Sequence, residues 1–581
     1  MEKTIDKSNI RIGENGHNEY MWANNHNHRE SHNRRESHNH RETILQLSFQ
    51  LTRQTSYDKV IQVFRDLIIN IQSDYKNKEF SPAVYQELIV TLYKLIGQTR
   101  DIIDGKGEYQ LSYRLLIEWY NFYPESSKFL VNCFVNNEYE HPYGSWKDIR
   151  CIADMCDDID RRHPLISYCV HLINEQLRKD LEGTQISLVS KWIPREKSKY
   201  RWLYERLAED YFKEYMVVPS ASACNKCYTH YRKLISGLNK QLDTVQIKQC
   251  AKEWSTIDPS VQTSITMQRQ IKAFLNVGIV RYEYDNDRIQ CAHNFKEYIA
   301  QNDSHINGKR VGINELVKNA LKVCDALKVC EALKVCDALD AKPNSYHLQT
   351  QIDLLNAQWL DNSTQTKPLQ KMIPIVDVSS SMNGEPLYAA IGLGIRVAEK
   401  SLVGKRILIF SETPTWINLE DTPNFVDMVK KISTANSDLN ANFYDAMKLI
   451  LDAIIEQKMR PEDVTDMTIA IFSDMQMDLT KNKNGVLYRN IEQMYNDAGI
   501  KIHGTPYKPP HILFWNLRST DGFPNVYTQN NTSMMSGFSP SSLNLFCDGG
   551  TNALRNPWNM LIKSLASDRY NILQEYMICH L

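Results

Sequence analysis

The chain has 581 residues, 42% of them hydrophobic, and its 68 Lys and Arg balance 69 Asp and Glu. That length exceeds what one hydrophobic core supports, so a multidomain protein is expected. Near-neutral charge excludes a global electrostatic pull toward nucleic acid or anionic membranes, and no apolar run reaches the roughly 18 residues that a spanning helix needs.

Residues 1–42 read as a polar tail. The opening MEKTIDKSNIRIGENG has no apolar centre and does not look like a secretory signal. Six of the sixteen His follow in a His/Asn/Arg/Glu tract, at His17, His26, His28, His32, His38 and His40. Such a tract can bind a transition metal. The plainer reading is a disordered tail with too little apolar surface to fold.

Residues 43–310 read as a helical domain. Segments such as LYKLIGQTRDII, YRLLIEWYNFY and YRWLYERLAEDYFKEY place apolar residues at i, i+3, i+4 and i+7. Joined by short polar turns, they predict a solenoid-like or irregular α-helical array, with no repeat regular enough to name its class. Within it, residues 191–250 hold twelve Lys/Arg against six Asp/Glu, interleaved with Trp and Tyr. Lys191, Arg195, Lys197, Lys199 and Arg201 are candidate phosphate contacts, with neighbouring rings as stacking surfaces for bases. On amphipathic helices such rings more often form core and the charges a solvated face. Cys224-Asn225-Lys226-Cys227 with His230 resembles half a zinc site, with Cys250, Cys291 and His293 as unspaced further ligands; two buried thiols are the simpler account.

Residues 311–345 read as a low-complexity helical linker containing ALKVCDALKVCEALKVCDAL. A six-residue period turns a helix by about 600°, so Cys324, Cys330 and Cys336 share no face. A coiled coil would need a seven-residue period, and a spacer helix is expected.

Residues 346–581 alternate strands and helices. MIPIVDV, RILIF, MTIAIFSD and HILFWNL predict buried strands, separated by helical segments such as EPLYAAIGLGIRVAEKSL and FYDAMKLILDAIIEQ. This alternation predicts an α/β doubly wound parallel sheet, Rossmann-like in architecture. A final helix, roughly Trp558 to Cys579, is expected to fold back onto the helical domain.

The chemistry gathers at strand ends. Ile373 to Met382 reads IPIVDVSSSM, in which Asp377, Ser379 and Ser381 form a D-x-S-x-S loop after an apolar strand. Ligands in open α/β sheets bind at such carboxyl ends, and hard oxygen donors suit Mg²⁺. Two further loops are Asn440-Ala441-Asn442 and Ser473-Asp474-Met475, the second at another strand end. Together these resemble a von Willebrand factor A domain with a metal-dependent adhesion site. The resemblance implies coordination by Ser379 and Ser381, with Asp377 and Asp474 acting mainly through water and an open position for a partner's acidic group. The family's second loop supplies a Thr where Ala441 stands, so one vertex is lost or passes to water, Asn440 or Asn442.

A narrower resemblance rests on Arg100-Asp101, Gly105-Lys106-Gly107-Glu108, Tyr143-Gly144-Ser145-Trp146-Lys147-Asp148 and Lys191-Trp192-Ile193-Pro194-Arg195-Glu196-Lys197, in that order. With WNLR at 515–518 and SGFS at 536–539, they resemble a family of uncharacterised plant, fungal and giant-virus proteins that join a helical region to an A domain. The layout is similar, more distantly, to the Ro autoantigen (TROVE) family, which implies RNA binding by the helical domain. The scattered thirteen Cys suggest reduced thiols. The expected location is therefore inside the cell: host cytoplasm, or a virion if the protein is viral. No Walker A, dinucleotide fingerprint, H-E-x-x-H or G-x-S-x-G occurs. A non-enzymatic scaffold is expected, binding an acidic group of a protein partner through Mg²⁺, with no membrane and no small-molecule substrate. The alternative is RNA binding of the Ro type.

Overall fold

The computed structural model of the protein describes residues 10–12, 18–20, 32–53, 56–136, 141–277, 285–301, 306–332, 342–411, 413–435, 443–475, 487–518, 531–547 and 556–581. Two short strands, Ile10–Ile12 and Asn18–Tyr20, pair antiparallel inside the expected tail. Helix α1 (His32–Gln50) also begins inside it. The second half of α1 buries Ile44, Leu45, Leu47 and Phe49. Once that half is packed, each added turn costs little, so the helix extends back into polar sequence.

Described elements from Asp58 to Gln301 are all helical, as the periodicity predicts. Helix α2 (Pro82–Arg100) is the axis of the array. Ser81 caps it by accepting from the Val84 N–H, and Pro82 occupies the first turn. Every residue from Leu88 to Arg100 is buried, the pattern of a helix surrounded on all sides.

Helix α3 (Ile313–Ala332) corrects the linker reading. Its residues Ile313, Leu316, Val317, Ala320, Val323 and Cys324 are buried in one cluster with Val376 and Ile391 of the α/β region. Ala320, Val323 and Cys324 fall at i, i+3 and i+4, so the slipped repeat still supplies one apolar stripe. The side chain of Cys330, and Cys336 altogether, lie outside the described residues. The helix Lys342–Ser363 straddles the expected boundary at 346, and its Trp359 stacks on Phe425 at 4.1 Å between centroids.

The sheet comprises β1 (Met372–Asp377), β2 (Arg406–Phe410), β3 (Thr415–Asn418), β4 (Thr468–Ser473), β5 (His511–Asn516) and β6 (Thr532–Ser536). Helix α4 (Glu385–Lys400) links β1 to β2. The strand order is β3-β2-β1-β4-β5-β6. Within this sheet, among the described residues, only β2 and β3 pair antiparallel. Every residue of β1, β4 and β5 is buried, as central parallel strands require. The two edge strands, TWIN and TSMMS, were not legible in the sequence because they are short and lack a continuous apolar run.

Two final helices, Pro557–Ser564 and α5 (Asn571–His580), return to the helical array. Leu573 of α5 lies so close to Gly97 of α2 that an added Cβ would come within 2.6 Å of it. Buried residues of the array, of α5 and of one sheet face form a single apolar cluster. The units therefore share a core. Among the described residues no helix is long and apolar enough to cross a membrane.

Candidate metal site at the switch point of the sheet

Strand order reverses between β1 and β4, so the chain leaves these neighbours in opposite directions and opens a crevice at their carboxyl ends. Asp377 is the last residue of β1 and Asp474 follows the last residue of β4. Both carboxylates are fully buried, and Ser379 is nearly so.

Local hydrogen bonds shape the first loop. The Ser379 N–H donates to Asp377 Oδ1 at 2.9 Å, a side-chain turn typical of aspartate. The hydroxyls of Ser379 and Ser381 lie 3.0 Å apart. Gly384, at φ +95°, makes the left-handed step into α4. From the second loop, Ser473 Oγ donates to Asp377 Oδ2 at 2.5 Å and accepts from the Met475 N–H at 3.0 Å. Both oxygens of Asp377 are thus engaged by neighbours. A third loop enters from β5: the Arg518 N–H donates to Asn516 Oδ1 at 3.2 Å. The Arg518 Nη1 lies 3.9 Å from Asp474 Oδ2 and 3.5 Å from the Ser381 carbonyl oxygen.

Burial pushes Asp377 up to about 7, and the nearby Asp474 charge adds to the rise, against hydrogen bonds from Ser473 and Ser379. Two buried carboxylates in one crevice require a proton or a cation between them. The donor set fits a hard cation. Adjacent vertices of an octahedron with bonds of about 2.1 Å are about 3.0 Å apart, matching the 3.0 Å between the two hydroxyls. Among the described residues no three His, Cys, Asp or Glu side chains gather into a metal cage, so a cation here would rest on hydroxyls and water as much as on carboxylates.

The helical array borders this crevice. Asn516 Nδ2 donates to the Phe49 carbonyl at 2.9 Å, and Ser536 Oγ to the Ser48 carbonyl at 2.8 Å. Lys106 Nζ donates to Ser536 Oγ at 2.6 Å and to the Ser48 carbonyl at 2.7 Å. The end of α1 and the Gly-Lys-Gly loop therefore dock on the carboxyl ends of β5 and β6.

Asp377, Ser379, Ser381 and Asp474 thus converge from two strand ends, while Asn440, Ala441 and Asn442 lie outside the described residues. Lys191, Arg195, Lys197, Lys199 and Arg201 belong to the helical array, not to the strand ends that form the crevice. Sequence reasoning did not single out Ser473 or Arg518 as site residues. The available signal was position, since each stands at or just after the end of a predicted strand. Around the half zinc motif, the buried Cys227 thiol donates to the Phe212 carbonyl at 3.6 Å and His230 meets the Tyr215 hydroxyl at 3.2 Å. These side chains serve helix packing.

Residues 371–566, the sheet and the first returning helix, match a family model described as a domain of unknown function, DUF7788. An uncharacterised protein of Acanthamoeba polyphaga mimivirus is 24% identical over 494 residues, covering 81% of this chain and 78% of its own length. This similarity supports the giant-virus side of the narrower resemblance and runs through both the helical array and the α/β region.

Proposed function

We propose that this chain is a binding protein whose α/β region is a von Willebrand factor A-type domain, and that Asp377, Ser379, Ser381 and Asp474 hold a divalent cation, Mg²⁺ by donor chemistry. The cation recruits an acidic group on a protein partner. The observation that carries this reading is the meeting of two fully buried carboxylates with a pair of hydroxyls at the switch point of the sheet. The two hydroxyls are suited to direct ligation. Asp377, engaged by Ser379 and Ser473, is suited to acting through water. Isothermal titration with MgCl₂ tests the reading. Wild type should bind, and Asp377→Ala should lose at least about tenfold in affinity. Absence of binding by wild type ends it.

A second reading, RNA binding by the helical array, is favoured by one specific observation. The Lys147 ammonium lies 5.8 Å from the Trp192 ring centre, Arg150 lies 5.6 Å from Trp192 and 5.0 Å from Tyr200, and Lys199 lies 4.5 Å from Tyr200. These half-buried rings lie beside exposed Arg195 and Lys197, a layout suited to phosphates and bases. Against it, Tyr204 and Tyr231 of the same stretch are core, and Arg201 is paired with Glu205 at 2.7 Å. A gel shift with single-stranded RNA across a salt series decides: affinity should fall steeply with salt, and binding that is absent or indifferent to salt removes this reading.

A further inference from the structure

We propose that the cavity between α2 and the two returning helices binds a small amphiphilic carboxylate, with the Lys94 ammonium as its anchor. The cavity measures about 400 Å³, within the range of small-molecule sites. One side is a single face of α2, running from Ala83 through Val90 to Lys94. The other side carries Leu565 and Ala566, just beyond the helix Pro557–Ser564, with Gln574 and Ile578 of α5. None of these residues stands in the loops of the crevice, so the inference is independent of the cation reading.

Lys94 is 6% exposed. Its Nζ donates to the Leu565 carbonyl at 3.1 Å and to Gln574 Oε1 at 2.6 Å. An ammonium carries three N–H donors, and among the described residues the third has no acceptor and no carboxylate pairs with the charge. The carbonyl at a helix end offers only partial negative charge, whereas the buried Arg100 and Arg569 each meet a full one, on Asp148 and Asp101. Buried charges are ordinarily paired, and burial holds the Lys94 pKa below its usual value. Glu87, the acid that lines the same cavity, is paired with Arg41 at 2.8 Å and stands about two helical turns from Lys94. Nearby polar groups are turned elsewhere. Thr91 Oγ1 donates to the Glu87 carbonyl at 2.7 Å, and Asn571 Nδ2 to Asp568 Oδ1 at 3.2 Å. The apolar lining is equally incomplete, since Ile578 is 44% exposed. A carboxylate on Lys94 supplies the counter-charge, and an apolar chain along Val90 and Ile578 covers that surface.

The test is calorimetric titration of the full chain with sodium octanoate, beside octan-1-ol and octylamine, which keep the apolar chain and change the head. Octanoate should bind with a Kd of about 0.1 mM, and the alcohol and amine at least about tenfold more weakly. Lys94→Met should lose at least about tenfold in octanoate affinity. Ala566→Phe, which fills the cavity from an exposed position and leaves Lys94 in place, should lose as much. Octanoate that fails to bind wild type, that binds a folded Lys94→Met equally well, or that binds no better than octan-1-ol overturns the inference. A lysine that merely caps the helix end gives one of those results. Thermal melts confirm folding of each variant. Should Lys94→Met melt early, Ala566→Phe and the three head groups on wild type decide.

Discussion

Asp377 is the residue on which the chemistry of the crevice turns. Its carboxyl is raised to about 7 by burial and by Asp474. The folded state therefore keeps a proton that the unfolded chain has already released. Stability of the metal-free protein should fall as pH rises from the ordinary carboxylate range to about 7, then level off. Asp377→Asn should flatten that slope in denaturant melts taken from pH 4.5 to 8; an unchanged slope would assign the titration elsewhere. Because proton and cation compete for the same carboxylate, Mg²⁺ should raise the melting temperature more at pH 8 than at pH 5.5. The D-x-S-x-S loop was legible because Asp377, Ser379 and Ser381 sit within five residues and their own hydrogen bonds build the turn. Ser473 was not, since its bond to Asp377 crosses 96 residues of sequence. Nor was Arg518, 137 residues from the Ser381 carbonyl it approaches.

At the scale of elements, α3 separates pattern from placement. Its helical character follows from composition, but a six-residue repeat has no fixed face, and a spacer was the natural expectation. The structure instead buries its first three turns against α4, where Gly392 makes room: a Cβ there would come within 2.7 Å of Ile313. Leu316 is fully buried, so Leu316→Ala should cost about 2–5 kcal/mol in urea unfolding. In a spacer helix the same change would cost less than about 0.5 kcal/mol. The edge strands teach the converse. β3 and β6 become strands because a buried neighbour offers them hydrogen bonds, not because their own residues alternate.

Across the whole molecule, the helical array and the α/β region are fastened where α5 returns. Arg569 grips Asp101 through Nε at 2.8 Å and Nη2 at 2.6 Å, Tyr570 donates to the same carboxylate at 3.1 Å, and Tyr143 donates to the Arg569 carbonyl at 2.5 Å. Lys94 adds bonds to the Leu565 carbonyl and Gln574. Breaking a buried ion pair from one side leaves a stranded charge, at a cost of about 3–5 kcal/mol. Asp101→Ala should therefore split a single calorimetric unfolding transition into two. One undivided transition at wild-type temperature would mean that the shared apolar core alone couples the units.

The sequence by itself determined the order of the architecture, helices first and then a doubly wound sheet, because period 3.6 and buried apolar runs are local properties. It also determined the loop that begins the candidate site, since short-range spacing dictates short-range geometry. Only the tertiary structure decided that α3 is core, that the array docks beside the crevice through Lys106, Ser48 and Phe49, and that Arg518 faces Asp474. Those are meetings between segments tens to hundreds of residues apart. They are selected by the burial and charge of the folded whole, and no single segment carries that information.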